Sequence, residues 1–298
     1  MRFLSVAETA RKWKISERAV RNYCALGRVP DAFLTGKTWN IPETADKPSR
    51  VPKTRKAPAT LRAFLLREKA GGLSGGIYHK IQVDLTYNSN HIEGSRLTHD
   101  QTRYIFETNT IGLSGRAVNV DDVVETVNHF RCIDMIIDHT ARQLSERFIR
   151  QLHAVLKGGT GDSRKDWFAV GEYKRLPNEV GGRATTPPEE VSGQMRQLLD
   201  SYNGLRKKDL AALLDFHVRF EAIHPFQDGN GRVGRLVLFK ECLANDIVPF
   251  IIGEDLKMFY YRGMREWDRK KGYLTDTCLT AQDRFKKTLD YFRIPYEK

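Results

Sequence analysis

Residues 46–60 hold three prolines and five basic side chains and show no apolar periodicity. Such a stretch stays extended and cannot join a packed core. Whatever this chain folds into must therefore be built as separate bodies on either side of it. We read a small head at 1–46, a linker at 47–60 and a large body at 61–298.

Charge divides along the same line. Residues 1–60 carry 13 Lys or Arg against 5 Asp or Glu, so about +8 of the formal +12 sits in a fifth of the 298 residues. A basic head on a nearly balanced body points to a polyanionic partner for the head. Hydrophobic residues at 40% and charged residues at 29% describe an ordinary globular body. No apolar run approaches the ~20 residues that cross a bilayer. Residues 1–5 run straight into a polar helical pattern without a signal-peptide apolar stretch, so a cytoplasmic location is expected. Cys24, Cys132, Cys242 and Cys278 are far apart and predict buried thiols rather than a disulfide framework or zinc site.

The body reads as a mostly α fold. Helical periodicity runs over 61–69, 77–89, 98–107, 120–140, 145–156, 188–205, 210–223, 232–245, 257–270 and 279–291. Strand signals are confined to 167–173 and to 32–41 in the head.

In the head, Ser5 followed by Glu8 predicts a capping box, and Ser16 opens a second short helix. On that second helix Ala19, Val20 and Tyr23 share one face, leaving Arg18, Arg21 and Asn22 on the other. Arg and Asn on an exposed helix suit major-groove reading of guanine and adenine. Residues 33–42 alternate around Gly36, as a β-wing would. With Gly27-Arg28-Val29-Pro30 and Trp39 to Pro42, the segment 2–46 resembles the helix-turn-helix of excisionase and MerR-like proteins. That resemblance implies DNA contacts by Arg18, Arg21, Asn22, Arg28 and Lys37, with protein contact as the competing use.

The densest chemistry lies in His224-Pro225-Phe226-Gln227-Asp228-Gly229-Asn230-Gly231-Arg232-Val233-Gly234-Arg235. An apolar helix ends at His224, because Pro225 disfavours helical backbone there. A Gly-containing loop follows, then a new helix from about Arg232. Unpaired backbone N–H groups at a helix start make an anion pocket. Asp228 offers a hard oxygen for Mg²⁺. Arg232 and Arg235 share a helix face and can clamp phosphates. His224 beside them is a candidate general base.

This segment resembles the Fic-domain signature HxFx(D/E)GN(G/K)RxxR at every defined position, and the likeness extends over roughly 60–290. The resemblance implies a helical Fic core with a small β-hairpin flap, using ATP and Mg²⁺. It implies that His224 deprotonates a Tyr, Thr or Ser hydroxyl of a target protein, which then attacks the α-phosphate. Phe226 would anchor the loop, Asp228 would hold the metal, and Gly229, Asn230 and Gly231 would cradle the α- and β-phosphates. Arg232 would reach the γ-phosphate, with Arg235 supporting it. Ser89-Asn90-His91-Ile92-Glu93-Gly94 resembles the (S/T)xxxE(G/N) inhibitory motif, matching at Ser89, Glu93 and Gly94. An inhibitory helix near 77–94 is expected, its Glu93 paired with Arg232. Residues 171–175 and 184–188 resemble the flap, and Tyr261, within Phe259-Tyr260-Tyr261, lies where the family places aromatics near the base. His91, His129, His153 and His217 match no motif and read as structural. Two competing uses follow from the same residues: removal of AMP with Glu93 orienting water, and a DNA-binding regulator whose body senses ATP or forms a homodimer.

Overall fold

The structure, a computed structural model, describes residues 2–25, 27–36, 38–49, 60–112 and 117–296. Lys37 and linker residues 50–59 lie outside the described residues. The chain divides into two compact units, Met1–Ala57 and Pro58–Lys298.

In the first unit, α1 (Val6–Trp13) begins with the predicted capping box between Ser5 and Glu8. It stops at Lys14, whose backbone turns left-handed at φ 52°. A second helix, α2 (Glu17–Ala25), starts behind Ser16, whose hydroxyl accepts from the Ala19 N–H at 3.3 Å. Strands β1 (Phe3–Leu4), β2 (Phe33–Thr35) and β3 (Thr38–Pro42) form an antiparallel sheet in the order β1-β3-β2. Val6, Ala10, Trp13, Val20, Val29 and Ile41 fill the small core between helices and sheet.

The second unit is mostly helical, with a small β-hairpin. Its helices are α3 (Leu61–Gly71), α4 (Ile77–Ile92), α5 (His99–Thr108), α6 (Val120–Asp138), α7 (Glu146–Lys157) and α8 (Pro188–Asn203). They continue as α9 (Leu210–Ile223), α10 (Asn230–Ala244), α11 (Glu254–Arg265) and α12 (Gly272–Tyr291). The hairpin, β4 (Glu179–Val180) with β5 (Arg183–Ala184), turns at Gly181-Gly182, both at positive φ. Helix α10 is the axis of the unit: Val233, Leu236, Val237, Phe239 and Cys242 are all buried, and α4, α6, α7 and α9 pack around it.

Residues 167–173 form turns, not the expected strand. Gly171 takes φ 76° and its N–H donates to His153 Nδ1 at 2.9 Å, so this stretch lies against α7. A Cβ on Gly171 would come within 2.9 Å of Ala154. Side chain–backbone contact with a helix has replaced strand pairing, and the hairpin forms eight residues later. Helix α10 also begins at Asn230, before the expected start near Arg232, because Gly229 at φ 82° supplies the left-handed entry that other residues resist.

Candidate active site

The site gathers where α9 ends and α10 begins. His224 caps α9 in the left-handed region, φ 53° and ψ 62°, and its N–H still donates to Phe220 O at 3.0 Å. For a non-glycine residue this conformation is costly and is sustained only by its surroundings. The His224 Nδ1 lies 3.4 Å from Glu221 O, a carbonyl that can only accept. The proton therefore belongs on Nδ1, and Nε2 carries the lone pair. Burial holds the imidazole below its ordinary pKa, Lys174 pushes the same way, and Glu93 and Asp228 oppose.

Between the helices, the loop is stapled by its own side chains. Asn230 Oδ1 accepts from the Phe226 N–H, and its Nδ2 donates to Phe226 O, both at 2.8 Å. With the Asn230 amide so used, only backbone N–H groups remain to face a ligand at this helix start. Phe226 is fully buried and stacks on His153 at 4.0 Å and 5°. His153 in turn donates from Nε2 to Asp228 O at 3.1 Å, its Nδ1 being occupied by Gly171. His153, which matches no motif and reads as structural, fixes the loop from below.

Asp228 faces two cations: its Oδ2 accepts from Lys157 Nζ at 2.6 Å and from Arg232 Nη2 at 3.2 Å. Burial works against the carboxylate, but Arg232 and Lys157 outweigh it and bring it down to about 2. Glu125 closes the square, taking Lys157 on Oε1 at 2.5 Å and Arg232 on Oε2. Glu125 and Lys157 escaped the sequence reading. A signal for Lys157 existed: with His153 it falls on the apolar stripe of α7 beside Ile149, Leu152 and Leu156.

The expected pairing of Glu93 with Arg232 is overturned. Glu93 pairs with Arg235, whose Nη2 donates to Oε1 at 2.7 Å. The same guanidinium donates to Ser89 O at 2.9 Å and Ser89 Oγ at 3.1 Å. The reason lies at the end of α4: Glu93 is its cap residue and Gly94 leaves the helix at φ 100°, so free carbonyls and a carboxylate face one cation. Arg232, locked with Glu125 and Asp228, is not available there. Glu93 also fills the nest. A Cβ on Gly231 would stand 2.3 Å from Glu93 Oε1, so the carboxylate presses on the first turn of α10.

Tyr261 on α11 is partly exposed beside this pair. Burial, and then Glu93, raise its phenol to about 12. Its neighbour Tyr260 turns inward, 2.5 Å from His217 Nε2. In the first unit Arg18, Arg21 and Asn22 are exposed on the outer side of α2. The Arg28 guanidinium lies over Tyr23 at 5.1 Å and donates to Ser49 O at 2.6 Å.

Among the described residues no group of three or more His, Cys, Asp or Glu is arranged to hold a metal, and Asp228 is the carboxylate that could offer an oxygen to one. A single carboxylate with one oxygen clear of cations fits Mg²⁺, which keeps most of its ligands as water and substrate phosphate. Among the described residues no helix is long and apolar enough to cross a membrane.

Known proteins resemble this chain in sequence and in fold. Residues 143–241 match the model of the Fic/DOC family. The chain is 25% identical over 271 residues to a protein adenylyltransferase Fic of Drosophila grimshawi, covering 86% of this chain and 51% of that protein. It is 27% identical over 217 residues to the one of Drosophila willistoni, covering 69% and 40%. The chain thus spans about half the length, or less, of these curated relatives. Among solved structures, a Fic domain containing signaling protein from Bacteroides thetaiotaomicron superposes with TM-score 0.61 at 24% identity, over 77% of this chain and 94% of that one. Fic-1 from C. elegans gives TM-score 0.59 at 19% identity, over 76% and 68%. The fold is Fic-like.

Proposed function

We propose, for a chain that carries a Fic-type domain, that it is a protein adenylyltransferase restrained by its own Glu93. One observation carries the reading. Arg235 and the first turn of α10 meet at the Glu93 carboxylate, close enough to His224 for the Glu93 charge to act on its imidazole.

In this reading ATP places its phosphates on the backbone of Gly229, Asn230 and Gly231. A Tyr, Thr or Ser hydroxyl of the target gives its proton to His224 Nε2. The hydroxyl oxygen bonds to the α-phosphorus as the bond to the β-phosphate oxygen breaks, leaving AMP on the protein and releasing pyrophosphate. Mg²⁺, held through Asp228, would neutralise phosphate charge. Lys157 and Arg232, themselves held by Glu125, keep that carboxylate ionised and aimed. With Glu93 in the nest, Arg235 is spent on it; with Glu93 withdrawn, Arg235 becomes the counter-charge for the phosphate end. The hairpin β4–β5 offers strand edges for an extended target segment.

The test is transfer of labelled AMP. Wild type should be nearly silent, and Glu93→Gly should label itself and other proteins. Adding His224→Ala to that variant should lower transfer by roughly 10²–10⁴ while ATP still binds. Arg235→Ala should be silent in either background, the non-additivity expected of residues sharing one interaction. Equal transfer by folded Glu93→Gly and wild type would end the regulatory reading. For the first unit we propose duplex DNA as partner, supported by the exposed Arg18, Arg21 and Asn22.

A further inference from the structure

Lys174 stands out once the site is assembled. Its side chain is 3% exposed, yet no carboxylate among the described residues lies within salt-bridge reach of its ammonium. A buried charge without a counter-ion is expensive and is retained only where something depends on it. Its contacts show what depends on it here.

The Lys174 backbone N–H donates to Pro225 O at 2.9 Å, and Nζ reaches Ile223 O at 3.4 Å. One residue therefore grips the carbonyls of both neighbours of His224, the position whose left-handed backbone needs support. The remaining donors of Nζ go to Asn178 Oδ1 at 2.7 Å and Thr185 Oγ1 at 2.5 Å. Those two residues flank the hairpin. Asn178 Nδ2 continues to Phe226 O at 3.1 Å, so the knot joins hairpin stem, loop and α9.

We infer that Lys174 is a positioning residue: its ammonium, which has no carboxylate partner, fixes the hairpin against the His224 loop and sets a positive charge beside the residues that flank His224. The inference rests on His224 being the base of the proposed transfer. The charged groups facing the imidazole are Lys174 from the hairpin stem, Glu93 from the end of α4 and Asp228 from the loop, with the Glu221 carbonyl on its own helix. The Glu221 carbonyl and the two carboxylates favour the imidazolium. Burial and Lys174 disfavour it and prevail. Burial also lowers the lysine itself, to about 8, so it remains mostly charged at neutral pH.

The experiment is a titration that requires no reaction. The His224 Cε1–H resonance is followed against pH in wild type, Lys174→Arg, Lys174→Met and Lys174→Gln, each checked for folding by circular dichroism. Glutamine keeps a polar group within the knot should methionine fail to fold. The expected result is an upward shift of the His224 midpoint in the neutral variants and none in Lys174→Arg. In the Glu93→Gly background the acid limb of the transfer rate should move by the same amount. Unchanged midpoints in folded neutral variants would overturn the inference even if transfer of AMP is found. The shift would uphold the electrostatic coupling even if it is not. Hydrogen exchange at the Thr185 N–H, which donates to Asn178 O, should quicken in Lys174→Met; unaltered exchange there would overturn the claim that the lysine fixes the hairpin.

Discussion

Glu125 holds Lys157 and Arg232 together, and both cations are nearly inaccessible to water. Removing a carboxylate from such a network leaves buried charge that Asp228 and the more exposed Asp162 cannot balance. Glu125→Ala should therefore cost about 3–5 kcal/mol, read as a lowered urea midpoint. Adding Lys157→Met removes one of the stranded charges, so the double variant should be more stable than the sum of the single effects. A Glu125→Ala protein as stable as wild type would show that the network contributes nothing. None of this was legible in the sequence: Glu125 lies 107 residues from Arg232 in the chain, on a helix whose periodicity says only that it is a helix.

At the level of elements, two glycines in helices separate packing from propensity. Gly263 lies in α11, and a Cβ there would meet Leu274 of α12 at 2.6 Å from Cα and 2.7 Å from N, backbone that cannot rotate away. Gly193 lies in α8 with nothing within 4 Å of the same position. Alanine is preferred over glycine in helices by ~1 kcal/mol. Gly193→Ala should accordingly raise the melting temperature by a few degrees, whereas Gly263→Ala should lower it, overpacking costing about 1–3 kcal/mol. Equal responses at the two positions would mean that the close approach of α11 and α12 relaxes freely. The start of α12 belongs to the same lesson. The sequence reading placed it near 279 and the helix begins at Gly272, because packing against α11 carries it through residues that propensity disfavours.

Across the whole molecule, buried titratable groups set the response to pH. Burial lowers His129, His153 and His217 to about 3, against 6.5 for a free imidazole. Below pH 6.5 the unfolded chain binds protons that the native state refuses, so each histidine removes stability as pH falls, about 1.4 kcal/mol per unit. Glu221 works the other way. Burial raises it to about 8, so its contribution is full below the unfolded value of 4.5 and is lost as pH rises toward 8. Among these four groups the balance below 6.5 is three against one, a net loss of roughly 2.7 kcal/mol per unit, and His224, also held down by burial, adds to the loss. Stability should peak near pH 6.5 and fall steeply on the acid side, measured by urea unfolding from pH 8 to 4.5. A flat profile between 6.5 and 5 would contradict the neutral assignment of these histidines. The head has its own test: residues 1–50 should bind duplex DNA with affinity that falls steeply with salt. Binding no better than that of the isolated body at low salt would remove DNA as the partner.

What the sequence determined by itself is local. Pro225 after His224, Gly229 before Asn230, the Ser5–Glu8 cap and the apolar stripes of the helices depend on neighbours a few residues away, and backbone sterics give each one outcome. The chemistry around residues 224–235 was legible for the same reason, since its loop and helix start are written in twelve consecutive residues. What only the tertiary structure decided is which charges meet. Glu93 could face Arg232 or Arg235 on sequence grounds. The choice fell to Arg235 because the end of α4 lands beside it, and because Glu125 and Asp228, from another helix and the loop, had already claimed Arg232. Pairing between buried ions is set by which helices pack together, and spacing along the chain carries no record of that.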